Sequence, residues 1–215
     1  MRPITLGLLL LVASVATTAH SAEDTLIVPT FIEETQSAGI DSVYAGEWQY
    51  MVGGGAASFD CNDDGFSDLL LAGGEAPARF YRNRSTVAGP LSFVEARSGL
   101  EFDKVLGAYP LDVDADGVQD LVLLRSGENV AMRGLGECRF ERANEAWNLH
   151  TGNGWHTAFA ATWEQGQSWP TLAIGTYTDR SRPDFPWGSC TPALLIRPRA
   201  EGGYLPATPL LPGHC

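Results

Sequence analysis

Short apolar runs recur along this chain, each with glycine on one side and acidic turn residues on the other. Leu69 to Ala72 and Leu121 to Leu124 are two of them. Runs of this length between strong turn signals read as buried strands rather than helices. Gly55-Ala56 precedes the first run and Gly107-Ala108 precedes the second at the same offset. A further marker repeats: FIEETQSAGI (31–40) matches FVEARSGL (93–100), FERANEAW (140–147) is a weaker copy, and YLPAT (204–208) reads as the start of another. Between these markers the pattern predicts strands and turns, with no helical periodicity beyond a turn or two.

The repeat has a fixed period. DCNDDGFSD (60–68) and DVDADGVQD (112–120) are nearly the same nonapeptide, 52 residues apart. Leu172 to Gly175 aligns a third strand with Leu69 to Ala72 and so puts Trp163 where Asp60 and Asp112 stand. There WEQGQSWPT (163–171) keeps the loop position and loses the carboxylates. Units of about 50 residues with three or four short strands suit β-propeller blades. A β-sandwich gives no reason for a loop recurring at one place in a regular period. The expected fold is therefore all-β, a propeller region over residues 23–215 with about three to four blades present. The chain ends at LLPGHC just as another unit is expected to open after Tyr204.

Charge narrows the partners. The chain of 215 residues is 44% hydrophobic and carries a formal net charge of −12, with Lys104 its one lysine. Such a field repels nucleic acid and favours a cation. Arg2, the apolar run Ile4 to Val15 and the small residues after it predict a signal peptide over residues 1–22, cleaved near residues 19–22. That run is too short to span a membrane, which needs about 20 apolar residues. The expected location is secreted, periplasmic or cell-surface. In such a compartment the four cysteines favour disulfides. Of the three connectivities, proximity in sequence favours Cys61–Cys138 and Cys190–Cys215.

The acidic loops hold the candidate chemistry. Positions 1, 3, 5 and 9 are Asp60, Asn62, Asp64 and Asp68 in loop one, and Asp112, Asp114, Asp116 and Asp120 in loop two. Alternating oxygen ligands let a tight turn aim them at one centre. Glycine at position 6 allows the wrap, and the carbonyls of Phe66 and Val118 can add another oxygen. Hard oxygen ligands in this number call for Ca2+, two sites in all, rather than zinc or copper. An EF-hand is excluded, because position 12 is Leu71 or Leu123 and a strand follows directly. Acidic turns are common on surfaces for local hydrogen-bonding reasons, but two copies in register, each ahead of a buried strand, make that reading weak. By carboxylate count, loop two should bind calcium more tightly.

Gly-Ala, then D-x-[DN]-x-D-G-x-x-D, then an aliphatic strand resembles the FG-GAP (or VCBS-type) repeat of calcium-binding propellers. The F-x-E marker together with DRSRPDFPWGSC (179–190) resembles, more narrowly, the cartilage acidic protein (ASPIC/UnbV-associated) group. The resemblance implies calcium ligands at the eight loop positions above. It also implies that the chain is part of an incomplete propeller of about seven blades.

Catalytic motifs are missing from the sequence. His150 and His156 flank TGNGW without an HExxH frame, and neither a GxSxG elbow nor a phosphate loop is found. Both histidines are expected to face solvent. Trp155, Trp163, Trp169, Trp187 and Tyr177 form a dense aromatic set, expected to pack between blades or to offer a stacking platform. The functional expectation is a binding or adhesion module for an extracellular or periplasmic protein or glycan. A propeller-type polysaccharide lyase or hydrolase is the alternative.

Overall fold

The computed structural model describes residues 28–178 and 191–210. The expected leader, DRSRPDFPWGSC with Trp187, and the Cys190–Cys215 pair lie outside the described residues. All the strands belong to the compact unit that begins at Glu34.

Three four-stranded antiparallel sheets follow one another along the chain. The first holds β1 (Ala56–Phe59), β2 (Asp68–Leu71), β3 (Arg79–Asn83) and β4 (Phe93–Ala96). The second holds β5 (Val105–Leu111), β6 (Asp120–Arg125), β7 (Val130–Gly134) and β8 (Phe140–Arg142). The third holds β9 (Trp155–Thr162), β10 (Thr171–Thr178), β11 (Leu194–Ile196) and β12 (Thr208–Pro209). Within each sheet spatial order equals chain order, the simple meander of a propeller blade. The aligned apolar runs are strands, as expected, and each is the second of its sheet: β2, β6 and β10.

Alternation along β6 explains how the sheets stack. Its side chains point to opposite faces at every step. Leu121 and Leu123 join Phe59, Leu70 and Phe80 in one core, while Val122 and Leu124 join Leu172, Ile174 and Tyr204 in another. The middle sheet is thus buried on both faces, which is why β6 reads as continuous apolar sequence. First strands lie next to one another, β1 against β5 and β5 against β9. Gly55 donates its N–H to the Leu106 carbonyl at 2.9 Å, and a Cβ at Gly55 would fall 2.9 Å from Gly107 Cα. The Gly-Ala marker therefore sits where two backbones touch.

The aromatic marker has a different place from the one expected. Phe93 and Phe140 each start the fourth, outermost strand of a sheet, and Tyr204 lies just ahead of the fourth strand of the third. Tyr204 bridges to Pro198 and Thr208 pairs with Leu195, so this segment completes the third sheet rather than opening another. Each of the three aromatic amides donates to a carbonyl earlier in the chain. Phe93 N donates to Ala38 O at 2.7 Å, Phe140 N to Ser98 O at 2.9 Å, and Tyr204 N to Trp147 O at 2.8 Å. The next residue is left-handed every time: Gly39, Gly99 and Asn148, with φ of 82°, 93° and 51°. An aliphatic follows, Ile40, Leu100 or Leu149, the latter two fully buried.

Candidate metal centre

Both acidic nonapeptides link the first and second strands of a sheet. Asp60 follows β1 and Asp68 opens β2; Asp112 follows β5 and Asp120 opens β6. The position-1 carboxylate gathers the loop around itself. Asp60 Oδ2 accepts the Gly65 N–H at 2.8 Å, and its Oδ1 accepts those of Asn62 and Asp64 at 3.3 Å each. Asp112 accepts the Gly117 N–H at 3.0 Å and that of Asp116 at 3.2 Å. Gly65 and Gly117 have φ of 83° and 85°, and a Cβ there would meet nothing within 4 Å. Backbone conformation, not space, selects glycine. At position 5, Asp64 Oδ1 accepts the Phe66 N–H and Asp116 Oδ1 accepts the Val118 N–H, both at 2.9 Å.

Position 3 behaves alike in the two loops. Asn62 Oδ1 and Asp114 Oδ1 are both buried and have no hydrogen-bond partner. An orphaned buried oxygen is costly, and here it recurs at the one position whose neighbours are also oxygen donors. In loop two, ligand oxygens of Asp112, Asp114 and Asp116 lie within 4.8 Å of one another; no such carboxylate trio forms in loop one among the described residues. These are hard donors of the kind calcium takes, so the residues fit the ion.

Position 9 is used differently. Asp68 and Asp120 are almost wholly buried. Asp120 Oδ2 accepts the Val113 N–H and its Oδ1 that of Gly134, both at 2.8 Å. Asp68 accepts the Asn83 N–H at 2.8 Å and the Cys61 N–H at 3.4 Å. Each carboxylate ties its own loop to the end of the third strand. Asp68 Oδ2 also lies 2.9 Å from Cys61 Sγ, a contact with a disulfide sulfur that has no proton to donate.

Electrostatics follow burial and partners. Desolvation raises Asp114, with the Asp116 charge adding to it, and desolvation pushes Asp120 up to about 6. Desolvation also raises Asp68. The Asn62 side chain beside Asp64 and the Val118 N–H on Asp116 hold those two carboxyls low.

One residue that the sequence reading passed over enters the site. Arg133 in β7 places Nε 3.0 Å from Asp114 Oδ2 and Nη2 2.9 Å from Asp116 Oδ2. In loop one Asp64 Oδ2 is held instead by Asn62 Nδ2 at 2.8 Å. The third loop is closed without an acidic cluster: Trp163 Nε1 donates to Ser168 O at 3.1 Å, and Thr171 Oγ1 donates to Glu164 Oε1 at 2.7 Å. An open cleft of about 640 Å³ runs along this face, lined among others by Asp60, Asn62, Asp112, Gln119, Glu137 and Trp163.

The expected disulfide Cys61–Cys138 is formed. The aromatic set divides. Trp155 is buried against Tyr50, with ring centroids 4.9 Å apart, and Trp169 packs edge-on between Trp147 and Tyr204. Trp163 remains half exposed. The histidines correct the expectation in one case. His150 is half exposed beside Glu128, but His156 is buried in β9 with its Nδ1 unpartnered. It follows Trp155 at the start of β9, where both side chains are buried, whereas the preceding TGNG reads as open loop.

Three four-stranded meanders, two of them with an aspartate-rich loop between first and second strands, make a set of propeller-like blades. Residues 60–123, from the first loop through most of β6, match the family model of the FG-GAP-like repeat. No curated protein matches the chain. No helix among the described residues is long and apolar enough to cross a membrane.

Proposed function

We propose that this chain is an exported calcium-binding β-propeller module in which the ion is structural and the loop face recognises a protein or glycan. The observation that carries the calcium reading is the matched pair of buried, unpartnered oxygens, Asn62 Oδ1 and Asp114 Oδ1, at one position of two loops. Asp60, Asn62, Asp64 and the Phe66 carbonyl would hold one ion. Asp112, Asp114, Asp116 and the Val118 carbonyl would hold the other. Asp68 and Asp120 would close each set while their oxygens also anchor the loop backbone. Bound calcium supplies positive charge that relieves the repulsion among these carboxylates.

Export is supported by the disulfide, which persists in an oxidising compartment. Ligand recognition is supported by the cleft with its acidic wall and half-exposed Trp163, a surface able to stack a sugar ring or a cationic side chain. The narrower kinship with the cartilage acidic protein group, and membership of a larger propeller, belong to the same proposal.

Thermal unfolding in millimolar calcium and in chelator tests the reading, with an Asp64→Ala/Asp116→Ala double variant alongside. The melting temperature should rise with calcium in the native protein and stay level in the variant. A transition indifferent to calcium in both would overturn the metal assignment.

A further inference from the structure

The register of the third strands carries one more conclusion. Leu69 pairs with Tyr81, Leu121 with Met132, and Leu172 with Ile196. The residue after each partner is an arginine: Arg82, Arg133 and Arg197. All three sheets therefore bring a guanidinium to the end of the third strand, beside the loop that joins the first two strands. Their reach differs. Arg133 donates to Asp116 at 2.9 Å and stands 3.0 Å from Asp114 with its Nε outside hydrogen-bond geometry, and Arg197 stands 3.9 Å from Glu164, the second residue of the third loop. Arg82 forms no ion pair with loop one among the described residues, though its charge is felt at Asp64 and Asp68.

We infer that Arg133 is a tethered counter-ion for loop two, which calcium must displace from Asp116, so that loop two binds calcium more weakly than loop one. The inference rests on the calcium reading above and reverses the order that carboxylate count alone suggests. Both oxygens of Asp116 are engaged, Oδ1 by the Val118 N–H and Oδ2 by Arg133. Asp114 keeps Oδ1 free but has Oδ2 against Arg133, and its side chain is only 9% exposed. An ion entering this loop can use Asp114 Oδ1 as it stands, but it must take Asp116 from the arginine. It also works against a fixed positive charge. In loop one the neutral Asn62 amide holds Asp64, and Arg82 and Arg84 act on it only through their charge, without an ion pair to displace.

The role is one of setting affinity, so the readout is calorimetric titration of calcium itself. Loop two is read in an Asp64→Ala background, and loop one in an Asp116→Ala background. Arg133→Met should tighten loop two by about fivefold, the scale of a partly exposed ion pair. Arg133→Lys, which keeps the charge and loses the fork, should fall between. Arg82→Met should change loop one less. In chelator Arg133→Met should lower the melting temperature, and calcium should restore it. Tighter binding in Arg133→Met with Lys intermediate supports the inference. Unchanged or weaker binding overturns it, since Arg133 would then orient the carboxylates rather than compete for them. If the native protein and every variant fail to take up calcium, the calcium reading falls and takes this inference with it. If the native protein titrates and only the Arg133 effect is missing, the calcium reading stands.

Discussion

Cys61 and Cys138 join position 2 of the first acidic loop to the turn between β7 and β8 of the next sheet. The Cys138 N–H also donates to the Cys61 carbonyl at 3.1 Å, so the two backbones are tied twice. The covalent tie closes a chain segment of 77 residues. It holds one candidate ion site to its neighbour's scaffold.

Removing that tie should cost stability and disturb one loop selectively. For a closed segment of this length the chain-entropy relation gives about 4.5 kcal/mol. A Cys61→Ser/Cys138→Ser variant is expected to unfold at correspondingly lower denaturant concentration. Calcium affinity should fall at loop one and hold at loop two, measured in the single-loop backgrounds.

The buried carboxylate at position 9 gives a second expectation. Asp120→Ala leaves the Val113 and Gly134 amides without their acceptor in a closed interior. Two lost charge-assisted bonds and their stranded donors should cost about 3 kcal/mol or more even in chelator. Equilibrium unfolding without calcium measures this directly. Asp116→Ala, whose site is partly exposed, should cost much less under the same conditions.

His156 predicts an acid limb. Burial depresses its pKa from 6.5 to about 4. The fold therefore keeps it neutral while the unfolded chain takes a proton near pH 6.5. Its stability contribution is complete above that pH and is lost as pH falls towards 4, up to about 3 kcal/mol. Asp120 works the other way without calcium. Its carboxyl is raised to about 6, so its contribution is present below its ordinary range and lost as pH rises through 6. Comparing His156→Gln with the native protein from pH 7 to pH 4 isolates the histidine, and the variant's curve should be flatter over that window.

The tryptophans separate packing from recognition. Trp169→Ala removes a ring wedged between Trp147 and Tyr204 and should cost about 3 to 5 kcal/mol. Trp163→Ala, at a half-exposed ring, should stay within roughly 0.5 kcal/mol. Glycan-array or peptide binding, by contrast, should weaken with Trp163→Ala and be indifferent to conservative changes at Trp169.

Strand identity and the two loops were readable in sequence because each depends on local rules. Buried runs such as Leu121 to Leu124 and turns such as Asp-Gly announce themselves. The alignment through Leu172 even located the third loop at Trp163. What escaped was set by pairing across the sheet. Nothing local tells whether Phe93, Phe140 and Tyr204 begin a unit or end one; that follows from how their segments pair at the outer edge of each sheet. Hairpins of unequal length hide the common register of Arg82, Arg133 and Arg197. His156 looks like a loop residue because its neighbours before it are glycine and asparagine. Asp68 and Asp120 look like ligands and nothing more until the amides of Cys61, Asn83, Val113 and Gly134 are placed around them.

The link from Ala38, Ser98 and Trp147 to the aromatic amide of the following sheet has a thermodynamic consequence. The first and second sheets share one core and the second and third share another, so coupling runs mainly between neighbours, as in a one-dimensional Ising array. Damage to the middle sheet, which fills both cores, should split unfolding into two separate transitions. Equal damage to the first sheet should only shorten the cooperative unit by one step.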